Sequence, residues 1–209
     1  MAVAKVPADM RTDAEVMARI AEAARHLADA GYAVSEVEVP DVSAAWRLWC
    51  DLISTEIATL QLAQMLELGS ADFAKAIGGL LAMATILDAE GYMKAVAQRT
   101  RLLRDWLAFL EDYPVILAPM SVGPTPVVGG DVQDDEAMRR LFWNDLRFTS
   151  AISVLGLPVA VVPAGLAHGH PVGVQLIASR YREDLALEAA SAIEARVGVM
   201  AERLWARSG

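Results

Sequence analysis

The chain has 209 residues, a formal net charge of −9 and a sequence pI of about 4.8. The length suits one sizeable domain, and the acidic balance argues against a nucleic-acid groove, which needs a basic surface. Cys50 is the single cysteine, which excludes an internal disulfide and a cysteine-based metal site; a small buried hydrophobe on a helix is expected. The N-terminal residues contain no apolar signal segment, so a cytoplasmic protein is expected.

The first forty residues predict a strand, a helix and a second strand. A short β-like run at 2–6 is followed by Thr12 or Asp13 as a helix cap and by apolar residues at helical spacing up to Gly31. The alternation over 32–39 then predicts a strand with one face exposed to water, which Pro40 ends. A strand–helix–strand start is typical of α/β folds.

Three helical stretches are predicted between 41 and 110. The first begins at Asp41 or Ser43, the second covers 73–87, and the third covers 89–110 with Asp88 as its cap. Helices this apolar are expected to pack together or to cover a cleft. The side chains expected to be buried are Trp46, Trp49, Ile53, Ile57 and Leu60 on the first stretch, and Tyr92, Val96, Leu103, Trp106 and Leu110 on the third.

The second half of the chain predicts more of the sheet. Residues 113–119 read as a buried strand, and after a loop Asp134 or Asp135 caps a short helix. The stretch 148–179 has no charged residue, but its prolines and glycines exclude one continuous membrane helix. Two strand-like runs remain, at 157–163 and 172–178, which are expected to be buried on both faces.

A helix over 182–196, ended by Gly198, and a short polar tail complete the predicted elements. The fold class is therefore predicted as α/β, with a mixed β-sheet and helices on its faces. Residues 1–209 are expected to form a single α/β domain or partial domain, with a helical insertion at 41–110.

Candidate chemical groups are sparse. His168 and His170 form an H-x-H pair that could bind a metal, but no third ligand is evident, so they are interpreted as turn residues. Ser121 and Ser150 have no base beside them in the sequence, and His26 is interpreted as a helix residue rather than a base. The acidic cluster is interpreted as a helix cap; it consists of Asp134, Asp135 and Glu136.

The segments FTSAISVLGLPVAVVPAG and HPVGVQLIASRYREDLALEAASAIE resemble the closing part of the amidase signature family. YPVILAP is similar to the family's strand before a proline-rich loop, and the first forty residues resemble the segment after its catalytic half. The resemblance is strongest over 113–194 and weakest over 41–110, a region that varies in the family and helps to shape its substrate pocket. The matched positions are Thr149, Gly156, Leu157, Pro158, Pro163, Gly165, Pro171, Gly173, Gln175, Leu176, Glu183 and Leu187.

The resemblance implies structural roles for these residues. The amide of Gln175, inside an apolar strand, is expected to bind neighbouring backbone. Two positions depart from the family pattern: Ser153 stands where the family usually has Asn, and Pro114 stands where an Asp commonly begins the strand.

The family's chemistry resembles a Ser–Ser–Lys arrangement in a Gly/Ser-rich segment of its N-terminal half. No counterpart is found here, because none of Lys5, Lys75 and Lys94 stands near such a segment. No catalytic, cofactor-binding or metal-binding residue is therefore assigned, and no cofactor is predicted.

Two functions remain open. The leading hypothesis is the C-terminal part of an amidase-type hydrolase: the complete enzyme cleaves the C–N bond of a small carboxamide, and this chain is inactive alone and pairs with a missing N-terminal half. The alternative is a free-standing, non-catalytic binding or assembly protein that pairs through an exposed sheet edge, with itself as a homo-oligomer or with a partner. An unrelated α/β domain would be favoured if 157–163 and 172–178 were not neighbouring strands. No nucleic-acid or membrane partner is expected.

Overall fold

The computed structural model describes residues 1–206, which group into two compact units. The sheet unit consists of Met1–Pro40, Trp106–Thr125 and the chain from Leu157 onwards, and the helical unit consists of Asp41–Asp105 and Pro126–Gly156. The expectation of a single domain with an insertion at 41–110 stays a prediction. The strands are β1 (Ala2–Ala4), β2 (Ser35–Val37), β3 (Val115–Pro119), β4 (Val159–Ala167) and β5 (His170–Ala178). The helices are α1 (Ala14–Asp29), α2 (Val42–Glu56), α3 (Leu62–Leu68), α4 (Ala71–Ala82), α5 (Ala89–Asp112), α6 (Asp135–Arg139), α7 (Arg147–Leu155), α8 (Glu183–Val197) and α9 (Met200–Trp205).

The strands form one mixed sheet in the order β2-β1-β3-β5-β4. β1 runs parallel to β2 and β3, whereas β5 runs antiparallel to β3 and β4. The two strand-like runs of the charge-free stretch are thus neighbours, as the family resemblance implies. The predicted fold class, a mixed sheet with helices, is confirmed.

Helices α1 and α8 cover one face of this sheet. Asp13 begins α1, because its Oδ1 accepts hydrogen bonds from the backbone N–H groups of Glu15 and Val16, both at 3.0 Å. Buried apolar residues at helical spacing on both helices pack with alternate residues of β3, β4 and β5. The helical contributors are Val16, Ile20, Ala23 and Leu27 on α1 and Ala186, Ala189, Ala190 and Ile193 on α8.

The opposite face of the sheet is buried at its centre and exposed at its edge. Ile116 and Ile177 lie side by side on that face and are fully buried. Val159 and Val161 of β4 are 37% and 56% exposed. The prediction of strands buried on both faces is therefore right for β5 and wrong for β4. The reason is sheet order: β4 is an edge strand with one neighbour.

The backbone conformation at the β4–β5 register shift favours a glycine. The β4–β5 register shifts between Pro163 and Gly165, and Gly165 has a φ of +137°, a conformation that other residues rarely adopt. A Cβ at this position would lie 2.9 Å from Cδ of Arg19. The glycine of the family-like segment thus permits both the bulge and the approach of the helix.

Helix α2 of the helical unit begins at Asp41, whose Oδ1 accepts from the N–H of Ala44 at 2.8 Å. After Glu56 the chain makes a π-helical turn, Ile57–Gln61, before α3. Ile57 is buried as predicted, but Leu60 is 75% exposed. The prediction for Leu60 is wrong because a π-helical turn holds more residues than an α-helical one and shifts the later side chains around the axis.

The second predicted helix ends early. α4 stops at Ala82 instead of continuing to 87, because the backbone N–H groups of Thr85 and Leu87 bind α2 side chains. Thr85 donates to Oδ1 of Asp51 at 2.8 Å, and Leu87 donates to Oγ1 of Thr55 at 3.0 Å. A segment whose donors are used in this way cannot add them to a helical ladder.

Helix α5 begins after Asp88, whose carboxylate accepts from the N–H of Gly91 at 2.7 Å. Leu103, Trp106 and Leu110 are buried as predicted, whereas Val96 is 43% exposed and the neighbouring Ala95 is buried in its place. The small side chain of Ala95 lies on the inner face of the helix, so a prediction from hydrophobicity alone wrongly placed Val96 there.

The predicted caps of α6 and α8 are confirmed. Asp134 caps α6 by accepting from the N–H of Ala137 at 2.7 Å, and Gly198 ends α8 with a φ of +79°. The helix predicted after Asp134 continues as a second π-helical segment, Arg140–Asp145, whose π-helical form was not predicted. The helices α7 and α9 were not predicted. The last residues of the predicted polar tail, 207–209, lie outside the described residues. No described helix is long and apolar enough to cross a membrane.

Gln175 is 2% exposed, and its Nε2 donates to the carbonyl oxygen of Pro119 at 2.8 Å. This confirms the expected amide–backbone contact, which joins β5 to the end of β3.

We predict that Gln175→Leu lowers the free energy of unfolding by about 1–3 kcal/mol, because a buried carbonyl loses its donor. Urea unfolding of the chain measures the change. Gln98→Leu, on an exposed helix surface, is the matched control and should change stability by less than about 0.5 kcal/mol; equal effects would contradict the assignment.

Candidate functional site

The lysines of the chain lie on exposed surfaces beside carboxylates of their own helices. Nζ of Lys94 is 2.6 Å from Oε1 of Glu90, and Nζ of Lys75 is 4.0 Å from Oδ1 of Asp72. Lys5 follows β1 and is also exposed. Exposed pairs one helical turn apart contribute little to stability.

The candidate serines bind nearby backbone. Oγ of Ser121 donates to the carbonyl oxygen of Gly123 at 3.0 Å and accepts from its N–H at 3.2 Å. Oγ of Ser153 donates to the carbonyl of Thr149 one turn earlier at 2.8 Å, and Ser150 is buried in the same helix, α7. The structure therefore gives Ser121 and Ser153 local turn and helix contacts.

His168 lies in the turn between β4 and β5, as predicted, and contacts the start of α1. Its Nε2 is 3.0 Å from both carboxylate oxygens of Asp13, and its backbone N–H donates to Oε2 of Glu15 at 2.7 Å. Its φ of +50° is left-handed, which fits a tight turn. The other histidine of the pair, His170, begins β5. This clamp, defined as His168 with Asp13 and Glu15, was missed because 155 residues separate His168 from Asp13.

The clamp changes the titration of His168 and Asp13. The hydrogen bond with Asp13 raises the pKa of His168 above its usual 6.5. The pKa of Asp13 is lowered below its usual 3.8. The largest cause is the hydrogen bond from the backbone N–H of Val16, and the second is the hydrogen bond with His168. Among residues 1–206, no group of three or more His, Cys, Asp or Glu side chains is arranged to hold a metal ion.

Cys50 and Asp145 are buried ionisable groups of the helical unit. Cys50 is fully buried on α2, as predicted, and burial raises the pKa of its thiol to about 12. Asp145 is 7% exposed at the end of the second π-helical segment; burial raises its pKa, and a hydrogen bond from Nδ2 of Asn144 at 2.8 Å opposes this. No sequence signal marked Asp145, because its burial depends on the unpredicted π-helical segment.

An aromatic cluster explains two of the tryptophans. The rings of Trp46 and Trp143 meet edge to face with centroids 4.4 Å apart, and Nε1 of Trp46 donates to the carbonyl of Phe142 at 2.8 Å. The Arg47 guanidinium lies 4.5 Å from the Trp143 ring centroid. Trp46 is buried and Trp143 partly exposed, so this cluster joins the core of the helical unit to its surface.

The helical unit also contains an apolar cavity of about 480 Å³. Leu60, Leu87 and Met93 form its apolar wall. Glu56 and Tyr92 are its central polar residues: the Tyr92 hydroxyl donates to Oε1 of Glu56 at 2.6 Å, and this bond, with burial, raises the pKa of Tyr92. Apolar walls with a few convergent polar groups are typical of small-molecule sites. We call this the Glu56 cavity.

The family model described as Amidase matches residues 1–187, so the chain belongs to the amidase family. The indoleacetamide hydrolase of Bradyrhizobium japonicum is 51% identical over 205 residues, which cover 98% of this chain and 44% of the relative. The indoleacetamide hydrolase of Bradyrhizobium diazoefficiens is 52% identical, with coverages of 98% and 39%. The chain thus spans about two fifths of the length of these curated relatives and matches their C-terminal part.

Solved structures support the fold. 6-aminohexanoate cyclic dimer hydrolase superposes with a TM-score of 0.73 at 20% identity, covering 96% of this chain and 45% of that one. A structure described as an amidase gives the same TM-score at 24% identity, with coverages of 95% and 45%. At these identities the likeness shows the fold alone.

We predict that the clamp stabilises the sheet unit most between about pH 4 and 6.5. His168 has a raised pKa, so its contribution is present below 6.5 and is lost as pH rises through its folded value. Asp13 has a lowered pKa, so its contribution is present above 3.8 and is lost as pH falls through its folded value. The Tm difference between the unsubstituted chain and His168→Asn, which keeps a residue tolerant of left-handed φ, should peak in this window. His170→Asn is the control; a pH-independent difference for His168→Asn would contradict the clamp.

We also predict that Cys50 is unreactive in the folded chain. With a pKa of about 12, about one thiol in ten thousand is ionised at pH 8, and full burial blocks access as well. Iodoacetamide labelling followed by mass spectrometry should be at least about a hundredfold slower in buffer than in urea. Equal rates under the two conditions would show that the α2 core is open.

Proposed function

We propose that this chain is the C-terminal part of an amidase that, when complete, hydrolyses an arylacetamide of the indoleacetamide class. Water and the amide give a carboxylic acid and ammonia. The observation that carries the proposal is the identity of 51% and 52% to two indoleacetamide hydrolases over 98% of the chain. This match covers nearly all of the chain, so residues of both units contribute to the proposed enzyme.

In the proposed enzyme the nucleophile comes from the part of the amidase that this chain does not cover. The described serines and lysines support this division of roles. Ser121 and Ser153 bind local carbonyl oxygens, while Lys75 and Lys94 lie beside helix-surface carboxylates. A serine nucleophile needs an adjacent base, and these contacts bring no lysine to a serine. We therefore propose that the chain alone does not hydrolyse amides.

A second candidate is a non-catalytic assembly protein, and the observation that favours it is the edge strand β4. Its residues Val159 and Val161 are partly exposed, and unpaired strand edges readily associate with other chains. This candidate predicts a stable homodimer that neither needs nor binds an N-terminal amidase segment. A cytoplasmic location belongs to either proposal and has the ordinary acidic composition as its support.

The test is reconstitution of activity. The 209-residue chain is co-expressed with the N-terminal part of the B. japonicum relative that it does not match, and ammonia release from indole-3-acetamide is measured. We expect activity from the pair and none from either piece alone. The N-terminal part combined with the relative's own C-terminal part is the matched control, which shows that the division point is tolerated.

The result distinguishes the two candidates. An active control beside an inactive pair, with the chain eluting as a homodimer on size exclusion, would replace the hydrolase proposal with the assembly protein. Hydrolysis by the chain alone would contradict the division of roles. Ser121, Ser150 and Ser153 would then be the first residues to substitute.

A further inference from the structure

The Glu56 cavity has an exposed apolar wall. Leu60 and Met93 are 75% and 66% exposed, and both line the cavity together with Leu87. Large apolar side chains that are exposed around a concave surface are more typical of a binding site than of ordinary protein surface. A volume of about 480 Å³ is in the range of small-molecule sites, so the cavity is large enough for a bicyclic aromatic ring.

The polar side chains that line the cavity are two carboxylates, Glu56 and Asp88, and three hydroxyls, those of Thr55, Thr59 and Tyr92. The Tyr92 proton is used on Oε1 of Glu56, and a carboxylate keeps further lone pairs for other donors. Thr55 is satisfied within the protein: its Oγ1 donates to the carbonyl of Asp51 at 2.6 Å and accepts from the N–H of Leu87 at 3.0 Å. No lysine or arginine is among the described residues that line the cavity. A fitting ligand therefore brings an N–H donor and is not an anion.

The local backbone explains why this acceptor stands beside an apolar wall. Glu56 is the last residue of α2, and the π-helical turn Ile57–Gln61 follows it directly. The turn moves Leu60 away from the buried face on which an unbroken helix would place it. Segments of π-helix occur frequently at functional sites, where they change the direction of side chains.

We infer that the Glu56 cavity binds the ring of an aromatic amide that carries a ring N–H, with that N–H donating to the Glu56 carboxylate and the ring packing on Leu60, Leu87 and Met93. The choice of indole-3-acetamide as the ligand rests on the proposed function. The acceptor chemistry of the cavity is independent of it and selects a donor-bearing aromatic ring over an aryl carboxylate.

The inference is tested by direct binding to the 209-residue chain, without any measurement of hydrolysis. Isothermal titration compares indole-3-acetamide, 1-methylindole-3-acetamide, indole-3-acetate, tryptamine and 1-methyltryptamine. Methylation removes the ring donor and should weaken binding by about tenfold or more, because hydrogen bonds to charged acceptors are among the stronger ones. The carboxylate of indole-3-acetate should weaken binding as well, since it meets an acidic cavity.

Three substitutions assign the effect to the cavity. Glu56→Met keeps the side-chain length and removes the acceptor, so indole-3-acetamide and its N-methyl form should bind equally. Glu67→Met is the matched control: Glu67 is exposed on α3 and does not line the cavity, so it should keep the discrimination. Tyr92→Phe leaves the carboxylate in place and should also keep it, which provides a second comparison if Glu56→Met fails to fold by circular dichroism.

Several results would overturn the inference. They are equal binding of the two acetamides to the unsubstituted chain, no binding at all, and tighter binding of tryptamine irrespective of ring methylation, which would define a site for cationic amines. Loss of binding when the N-terminal part is added would identify the cavity as a protein interface. If the reconstituted pair is active but the chain binds indole-3-acetamide and its N-methyl form equally, the inference fails and the proposed function stands. If the chain distinguishes the two ligands but the reconstituted pair is inactive, the inference stands and the proposed function fails.

Discussion

The pairing of β5 with β3 on one side and β4 on the other is the constraint on which the sheet unit depends. Through this pairing, Leu176 stands between Leu117 and Ala160 in one row of side chains. That row faces α1 and α8, and the next row, which includes Ile177 and Ile116, faces the other side. Because β5 is buried on both faces, an unsatisfied polar group on it would be destabilising. The hydrogen bond from Gln175 to the carbonyl of Pro119 satisfies the amide of Gln175 there.

Much of this arrangement could be predicted because its signals are local. Prolines and glycines divide the charge-free stretch after Leu155 into strand-length runs, and no continuous helix can accommodate them. Asp13, Asp41, Asp88 and Asp134 stand just before their helices and bind the first free N–H groups there. Such signals need only a few neighbouring residues, so the sequence shows them directly.

The errors arise where the outcome depends on distant residues or on a change of helical period. β4 and β5 are equally apolar, and only the order of strands makes β4 an edge. Leu60 is exposed because it lies within a π-helical turn, which the hydrophobic pattern does not reveal. The contact of His168 with Asp13 requires the β4–β5 turn to meet the start of α1, and the Glu56 cavity requires Tyr92 and Glu56 to come together from different helices.

The chemistry of the Glu56 cavity also limits what it can do in an amidase. Amide hydrolysis develops negative charge on the carbonyl oxygen, and this charge must be met by hydrogen-bond donors. The Glu56 carboxylate would repel such an oxygen, and the Tyr92 proton is already engaged. A ring N–H, in contrast, needs an acceptor among apolar side chains. The cavity therefore suits recognition of the aromatic part of a substrate, and the donors that stabilise the reacting carbonyl have to come from other residues of the complete enzyme.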